Sequence, residues 1–174
     1  MRSAHSAIGV DVGGSSTKSA WVDLATGKML SARTNIDTPS DVPLADFLRA
    51  VRGMLPADAP HVPVGLAFPS VIIGGAIKTT ANINRAWLEQ PVAALASEAL
   101  ARPVRIINDA DAAGLAEMHF GAGRDEPGTV LVLTLGTGIG SALFVDGKLL
   151  PNTELGHLEV DGREAEQRAS ARTR

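Results

Sequence analysis

The chain repeats one pattern at a distance. With Asp11 laid on Thr134, the two stretches run together without a gap, from Val12 against Leu135 and Gly13 against Gly136 to Trp21 against Phe144 and Asp23 against Asp146. The turn that follows is three residues shorter in the second copy, after which Gly27-Lys28-Met29-Leu30 falls on Gly147-Lys148-Leu149-Leu150. Each copy reads strand, glycine loop, strand, turn, strand. Copies this far apart argue for two related lobes rather than a short-period solenoid. Two hairpins that share only turn chemistry would be the competing explanation.

The residues around the copies fix an α/β expectation. In the first copy, strands are predicted at Ala7–Val12, Ser19–Asp23 and Lys28–Thr34. Leu44, Phe47, Leu48, Val51 and Leu55 recur at helical spacing, so a helix is expected over Val42–Met54, ended by Pro56. Val62–Phe68 reads as a buried strand, Val71–Thr80 as a hairpin about Gly74-Gly75, and Trp87–Ala101 as a helix with Pro91 in its first turn. The short strand Val104–Ile107 runs into Asn108-Asp109-Ala110-Asp111, where Asn or Asp can cap an alanine-rich helix reaching Phe120. Gly121–Gly128 is the expected link between lobes, giving an N-terminal lobe over 1–120 and the start of a second over 121–174. In that second lobe, strands are expected at Thr129–Leu135 and Ser141–Val145. The charged tail Asp161–Arg174 is helical only if something packs on it.

Composition removes several function classes. The chain has no cysteine, so disulfides, thiol catalysis and cysteine–zinc sites are excluded, in keeping with a reducing compartment. A net charge of −3 gives no general basic surface for a nucleic acid. No apolar run approaches the roughly 20 residues of a membrane span, and the first residues lack a signal-peptide pattern. A cytoplasmic protein that binds neither membrane nor nucleic acid is expected.

Glycine loops allow backbone N–H groups to close on a polyphosphate where side chains would collide with its oxygens. Neither loop has the Walker spacing, and the Gly136-Thr137-Gly138-Ile139-Gly140 run is followed by a strand, which argues against a dinucleotide site. The pair is therefore read as a phosphate grip. Asp11, whose repeat partner is Thr134, either holds magnesium near the phosphates, directly or through water, or caps a turn. Lys18 either neutralises phosphate or is a solvated strand residue. Asn108-Asp109 sits where a strand end meets a helix start, the usual place for ligands in open α/β sheets. Asp109 there can take the proton of an attacking hydroxyl or merely cap the helix. Asp111 competes for the same role, although two residues along a helix turn it about 200° away. Glu154 and His157 offer the dense polar lining that sugar hydroxyls need. A metal site with Glu159 and Asp161, or a plain surface loop, are the alternatives.

These residues resemble the ROK (repressor, open reading frame, kinase) sugar kinases of the hexokinase and actin superfamily. The likeness runs from Ile8-Gly9-Val10-Asp11-Val12-Gly13-Gly14-Ser15 through Asn108-Asp109-Ala110-Asp111 to the segment from Thr134 to His157, which favours the polyphosphate-using branch. It implies duplicated actin-like (ribonuclease H-like) lobes with mixed sheets flanked by helices, the second lobe incomplete because family members continue for about 100 residues more. It implies phosphoryl transfer from polyphosphate, ATP also being a donor candidate, to the 6-hydroxyl of glucose, with magnesium and without zinc, and a homodimer for the full-length protein. By the resemblance, Asp11, Gly13, Gly14, Ser15, Thr17 and Lys18 form the first phosphate loop, and Gly136, Thr137, Gly138 and Gly140 the second. Asp109 matches the catalytic base and a sugar contact; Asn108, Glu154, His157, Asn82 and Glu166 match the sugar pocket. A non-catalytic sugar sensor and an ATP-only kinase for another hexose are the rival readings.

Overall fold

Alternation along β1 (Ser6–Val12) turns Ile8, Val10 and Val12 to one side, where all three are buried. In the computed structural model, which describes residues 5–39, 41–80, 83–136 and 138–169, β1 lies inside a five-stranded sheet. It pairs antiparallel with β2 (Ser16–Asp23) and parallel with β4 (Val64–Phe68). The sheet order is β3-β2-β1-β4-β7, with β3 at Thr34–Asp37 and β7 at Val104–Asn108. A two-stranded hairpin, β5 (Ile72–Ile73) and β6 (Ala76–Ile77), turns on Gly74 and Gly75, both left-handed.

Helix α1 (Leu44–Met54) buries Leu44, Phe47, Leu48, Val51 and Met54, the stripe expected from the spacing. These join Val64, Leu66 and Phe68 of β4, and Val92, Ala96 and Leu100 of α2 (Val92–Leu100), in one core. Phe47 stacks on Trp87 with ring centroids 4.7 Å apart. The indole N–H of Trp87 donates to the Val42 carbonyl at 3.1 Å, satisfying its polar end inside the core.

Two elements differ from expectation. The third strand is Thr34–Asp37, not Lys28–Thr34. The carboxylate of Asp23 accepts the N–H groups of Ala25 and Thr26, closing a side-chain turn that leaves a single bridge, Val22 to Met29, where a strand was expected. Trp87 belongs to a separate 3-10 turn, Arg85–Trp87, capped by Asn84, so that α2 begins only after Pro91.

The chain divides into two units, Met1–Ile107 and Asn108–Arg174. The division falls ahead of α3 (Asp109–Phe120), the helix assigned from sequence to the first lobe. Packing explains the difference: α3 lies on the second unit's sheet, with Ala110 and Gly114 on the contact face. A Cβ added at Gly114 would come 2.5 Å from Ala142 Cβ and 2.9 Å from Phe144 Cε2, both in fully buried side chains.

That sheet has the order β10-β9-β8, formed by β8 (Thr129–Leu135), β9 (Ile139–Val145) and β10 (Lys148–Leu150). The duplicated pattern is thus present as two antiparallel hairpins with glycine loops. Their registers differ: the first loop closes on the pair Val12–Thr17 and the second on Leu135–Ile139, one residue tighter. The copies also part at their surfaces. Ile8, Val10 and Val12 are buried, whereas their repeat partners Leu131, Leu133 and Leu135 are 47%, 51% and 68% exposed. Residues of α1 and α2 share one core with the first face; among the described residues of the second unit nothing covers the corresponding leucines. Beyond the sheet, β11 (Glu159–Val160) and β12 (Arg163–Glu164) form a hairpin turning on left-handed Asp161 and Gly162, followed by the short α4 (Glu166–Ala169). The tail expected to be helical or frayed is therefore folded back in its first part.

Candidate active site

In the first unit, the loop from Gly13 to Ser16 is a closed turn. The Gly13 N–H donates to the Ser16 carbonyl at 3.0 Å, and a Cβ on Gly13 would meet that oxygen at 2.9 Å. Glycine is needed there by close approach rather than by backbone sign. Thr38 braces the turn: its hydroxyl donates to the Gly13 carbonyl at 2.7 Å, and its N–H donates to the Ser15 carbonyl at 3.0 Å. Thr17 is buried and its hydroxyl lies 2.8 Å from that of Thr38, so it supports the loop from beneath. Asp11 and Lys18 are cross-strand partners at the open end, joined by an ion pair at 3.5 Å with both side chains solvent-accessible. A carboxylate so exposed has room for the waters that magnesium keeps around it. Asn82 and Thr137 lie outside the described residues.

The second unit gathers the remaining candidates. Asn108 caps α3, its Oδ1 accepting the Asp111 N–H at 3.0 Å, while its Nδ2 donates to Glu154 Oε1 at 3.1 Å. Asp109, the first helical residue, accepts the Ala110 N–H at 2.8 Å. Glu154 Oε2 is 3.6 Å from His157 Nε2, and His157 Nδ1 is 3.5 Å from Glu164 Oε2 and 4.0 Å from Glu166 Oε1. His157, Glu164 and Glu166 bring one ligand atom each within 4.8 Å of one another, a set that suits hydroxyl groups or a cation. Burial pushes the Glu154 carboxyl above its ordinary pKa; His157 opposes the shift, and the Asp109, Asp111 and Glu166 carboxylates add to it. Asp109 and Glu154 are therefore near enough to feel each other's charge.

The second glycine loop lies beside this cluster. The Gly136 N–H donates to the Gly138 carbonyl at 3.0 Å. A Cβ on Gly140 would meet Thr134 Oγ1 at 2.4 Å and Ala110 Cβ at 2.8 Å, so the strand leaving the loop packs on the residue next to Asp109. Glu166 Oε2 is 2.6 Å from where a Gly138 Cβ would stand, which puts that carboxylate over the loop as well as beside His157.

The turn that presents Glu154 is held from two sides. Ser141 Oγ accepts the Leu155 N–H at 2.9 Å and lies 3.1 Å from the Thr153 hydroxyl. Asp111 Oδ2 accepts the Asn152 N–H at 2.9 Å. Asp111 is thus turned into the protein and away from the place of Asp109. Sequence reasoning passed over Ser141, Thr38 and Glu164. Ser141, a small polar residue directly after the glycine run, carried a faint signal. Thr38 and Glu164 carried none, because their partners are set by hairpin register.

The ROK family signature matches residues 7–170. The chain belongs to the ROK family. It is 43% identical over 170 residues to the polyphosphate glucokinase of Mycobacterium leprae, covering 97% of this chain and 52% of that protein. It therefore spans about half the length of that curated relative. Among solved structures, the inorganic polyphosphate/ATP-glucomannokinase from Arthrobacter sp. strain KM superposes with a TM-score of 0.90 at 47% identity, covering 98% of this chain and 70% of that one. A ROK family glucokinase from Streptomyces griseus, in complex with glucose and AMPPNP, superposes with a TM-score of 0.78 at 28% identity over 97% of this chain and 58% of that one. The ROK assignment carries with it the actin-like α/β fold expected from the sequence. No helix among the described residues is long and apolar enough to cross a membrane.

Proposed function

We propose that this ROK chain serves phosphoryl transfer from inorganic polyphosphate, with ATP as a second donor, to the 6-hydroxyl of glucose in the cytoplasm. The observation that carries the reading is the second unit's cluster: Asn108 bonded to Glu154 at 3.1 Å, His157 at 3.6 Å from Glu154, and Asp109 next in sequence to the Asn108 cap. Amide, carboxylate and imidazole together supply donors and acceptors for several hydroxyls of one sugar ring. Names of relatives, a polyphosphate glucokinase and a polyphosphate/ATP-glucomannokinase, support donor and acceptor classes of this kind.

In this reading Asp109 accepts the proton of the 6-hydroxyl as its oxygen attacks the terminal phosphorus. The new O–P bond forms as the bridging P–O bond breaks, and the electron pair leaves on the shortened polyphosphate or on ADP. Backbone N–H groups of the glycine loops other than those of Gly13 and Gly136, which close the turns themselves, bind phosphate oxygens, and Lys18 offsets phosphate charge. Asp11 is the residue that would hold magnesium, which when bound neutralises phosphate charge. Asn108, Glu154 and His157 orient the sugar, with Glu166 at the edge of the same cluster.

The test is phosphate transfer followed by phosphorus NMR with glucose and either polyphosphate or ATP, for the wild-type protein and Asp109→Asn. A loss of about 10²-fold or more in turnover with little change in glucose affinity is expected, the scale of general base catalysis. An unchanged rate in the variant would remove Asp109 from the chemistry. Glucose binding without turnover by the wild-type protein would favour a sensing role.

A further inference from the structure

The acid that rivals Asp109 in the sequence has a different position and a different partner. Asp111 is 1% exposed, in the first turn of α3. Its N–H goes to Asn108 Oδ1, and its Oδ2 accepts the Asn152 N–H at 2.9 Å. Two residues further on, Glu154 Oε1 accepts from Asn108 Nδ2, so the bonds close a circuit: Asn108 to Asp111, Asp111 to Asn152, along the chain to Glu154, and back to Asn108. The circuit has an unfavourable feature at each end. Asp111 Oδ1 is buried with no hydrogen-bond partner among the described residues, and burial raises the carboxyl pKa against the lowering effect of the Asn152 bond. Asn152 and Glu154 are both left-handed, at φ 57° and 44°. Asparagine tolerates that conformation, whereas glutamate gains nothing from it, so neighbours must enforce it. A helix that needed only to pack would carry alanine at this place, as it does at Ala110, Ala112 and Ala113.

We propose that Asp111 is a positioning residue for acceptor binding: by gripping the Asn152 amide it sets the left-handed turn, and thereby fixes where Glu154 stands against Asn108. This rests on reading Asn108 and Glu154 as sugar ligands. Asp111 acts through the turn and does not touch the sugar, so its removal weakens sugar affinity and leaves affinity for the phosphate donor intact.

The experiment compares Asp111→Leu, which keeps the branched outline in a bulkier side chain and removes both the acceptor and the buried charge, with Asp111→Asn, which keeps an oxygen for the Asn152 N–H. Amide exchange by NMR and calorimetric titration with glucose and with tripolyphosphate are read on each. In D111L the Asn152 and Leu155 amides exchange about tenfold faster while central α3 and β9 amides keep their protection. Glucose affinity falls about tenfold, the order of one hydrogen bond to the sugar, and tripolyphosphate affinity stays within about twofold. D111N restores both slow exchange and glucose affinity. Should D111L fold poorly, D111A carries the same expectations. If Asn152 exchange is unchanged in the apolar variant, or if the turn loosens while glucose affinity holds, the proposal is overturned. A wild-type protein that takes no glucose overturns the sugar reading itself; the grip is then judged on exchange alone.

Discussion

Two helical glycines respond to alanine in opposite directions. At Gly53, exposed in α1, an added Cβ meets nothing within 4 Å among the described residues apart from its own stretch of helix, so Gly53→Ala gains only helix propensity, about 0.8–1 kcal/mol. At Gly114 the same propensity gain is set against a Cβ 2.5 Å from Ala142 Cβ and 2.9 Å from Phe144 Cε2. Carbon atoms rest at about 3.5–4.0 Å, so α3 or β9 must yield by about 1 Å. Ala142 Cβ is tied to backbone and cannot swing aside, and overpacking of this kind costs about 1–3 kcal/mol. Gly114→Ala should therefore be destabilising by up to about 2 kcal/mol, and Gly114→Val by more. Both tryptophans, Trp21 and Trp87, lie in the first unit, so their fluorescence in urea reports the gain from G53A. The loss from G114A is read by amide exchange in α3 and β9. Because α3 carries Asp109, a shift of about 1 Å should also lower turnover, by as much as about 10²-fold. A G114A protein as stable as wild type, with unchanged α3 exchange, would refute the claim that this glycine sets the distance between helix and sheet.

Two further outcomes follow from the second unit. Glu154 and Asp111 both hold their protons longer in the folded protein than their ordinary values of 4.5 and 3.8 allow, chiefly because both are buried. The native state is thus the more protonated one in that window, and the stability these groups contribute is present below the ordinary values and lost as pH rises through the raised ones. Melting temperature followed by circular dichroism should decline over that interval in the wild type and decline less in Glu154→Gln; an identical slope would contradict the assignment. Replacing Leu131 and Leu133 by lysine should leave the unit's stability within about 0.5 kcal/mol, since both face solvent, while reducing self-association in light scattering. A large loss of stability would mean that the leucines are packed.

The features legible in the sequence were those written locally. Helical spacing of Leu44, Phe47, Leu48 and Val51 gave α1, and the glycine runs after apolar strands gave both hairpins. The duplication was legible too, but an ungapped alignment could not show that the second loop closes one residue sooner, because register is set by cross-strand bonds. The third strand was misplaced because the Asp23 side chain captures the backbone beyond β2. At the site, Asn108, Glu154 and His157 lie next to one another in the second unit. The inward turn of Asp111 was only half legible: helical geometry separated it from Asp109, while its partner at Asn152 is a contact across 41 positions. The exposed leucines of β8 were invisible for a simpler reason, since an apolar run says that a face is greasy and not what covers it.

Ser141 joins the glycine run to the turn bearing Glu154, through its bond to the Leu155 N–H and its contact with Thr153. Gly156 presses on the same strand, where a Cβ would stand 2.1 Å from the Ile139 carbonyl oxygen. In the proposed function, the second phosphate loop and the sugar-binding turn therefore share one anchor at the start of β9, separate from the hold that Asp111 has on Asn152. A substitution at Ser141 or Gly156 would on this reading be felt at both ends of that anchor, whereas one at Asp111 would be felt at the turn alone.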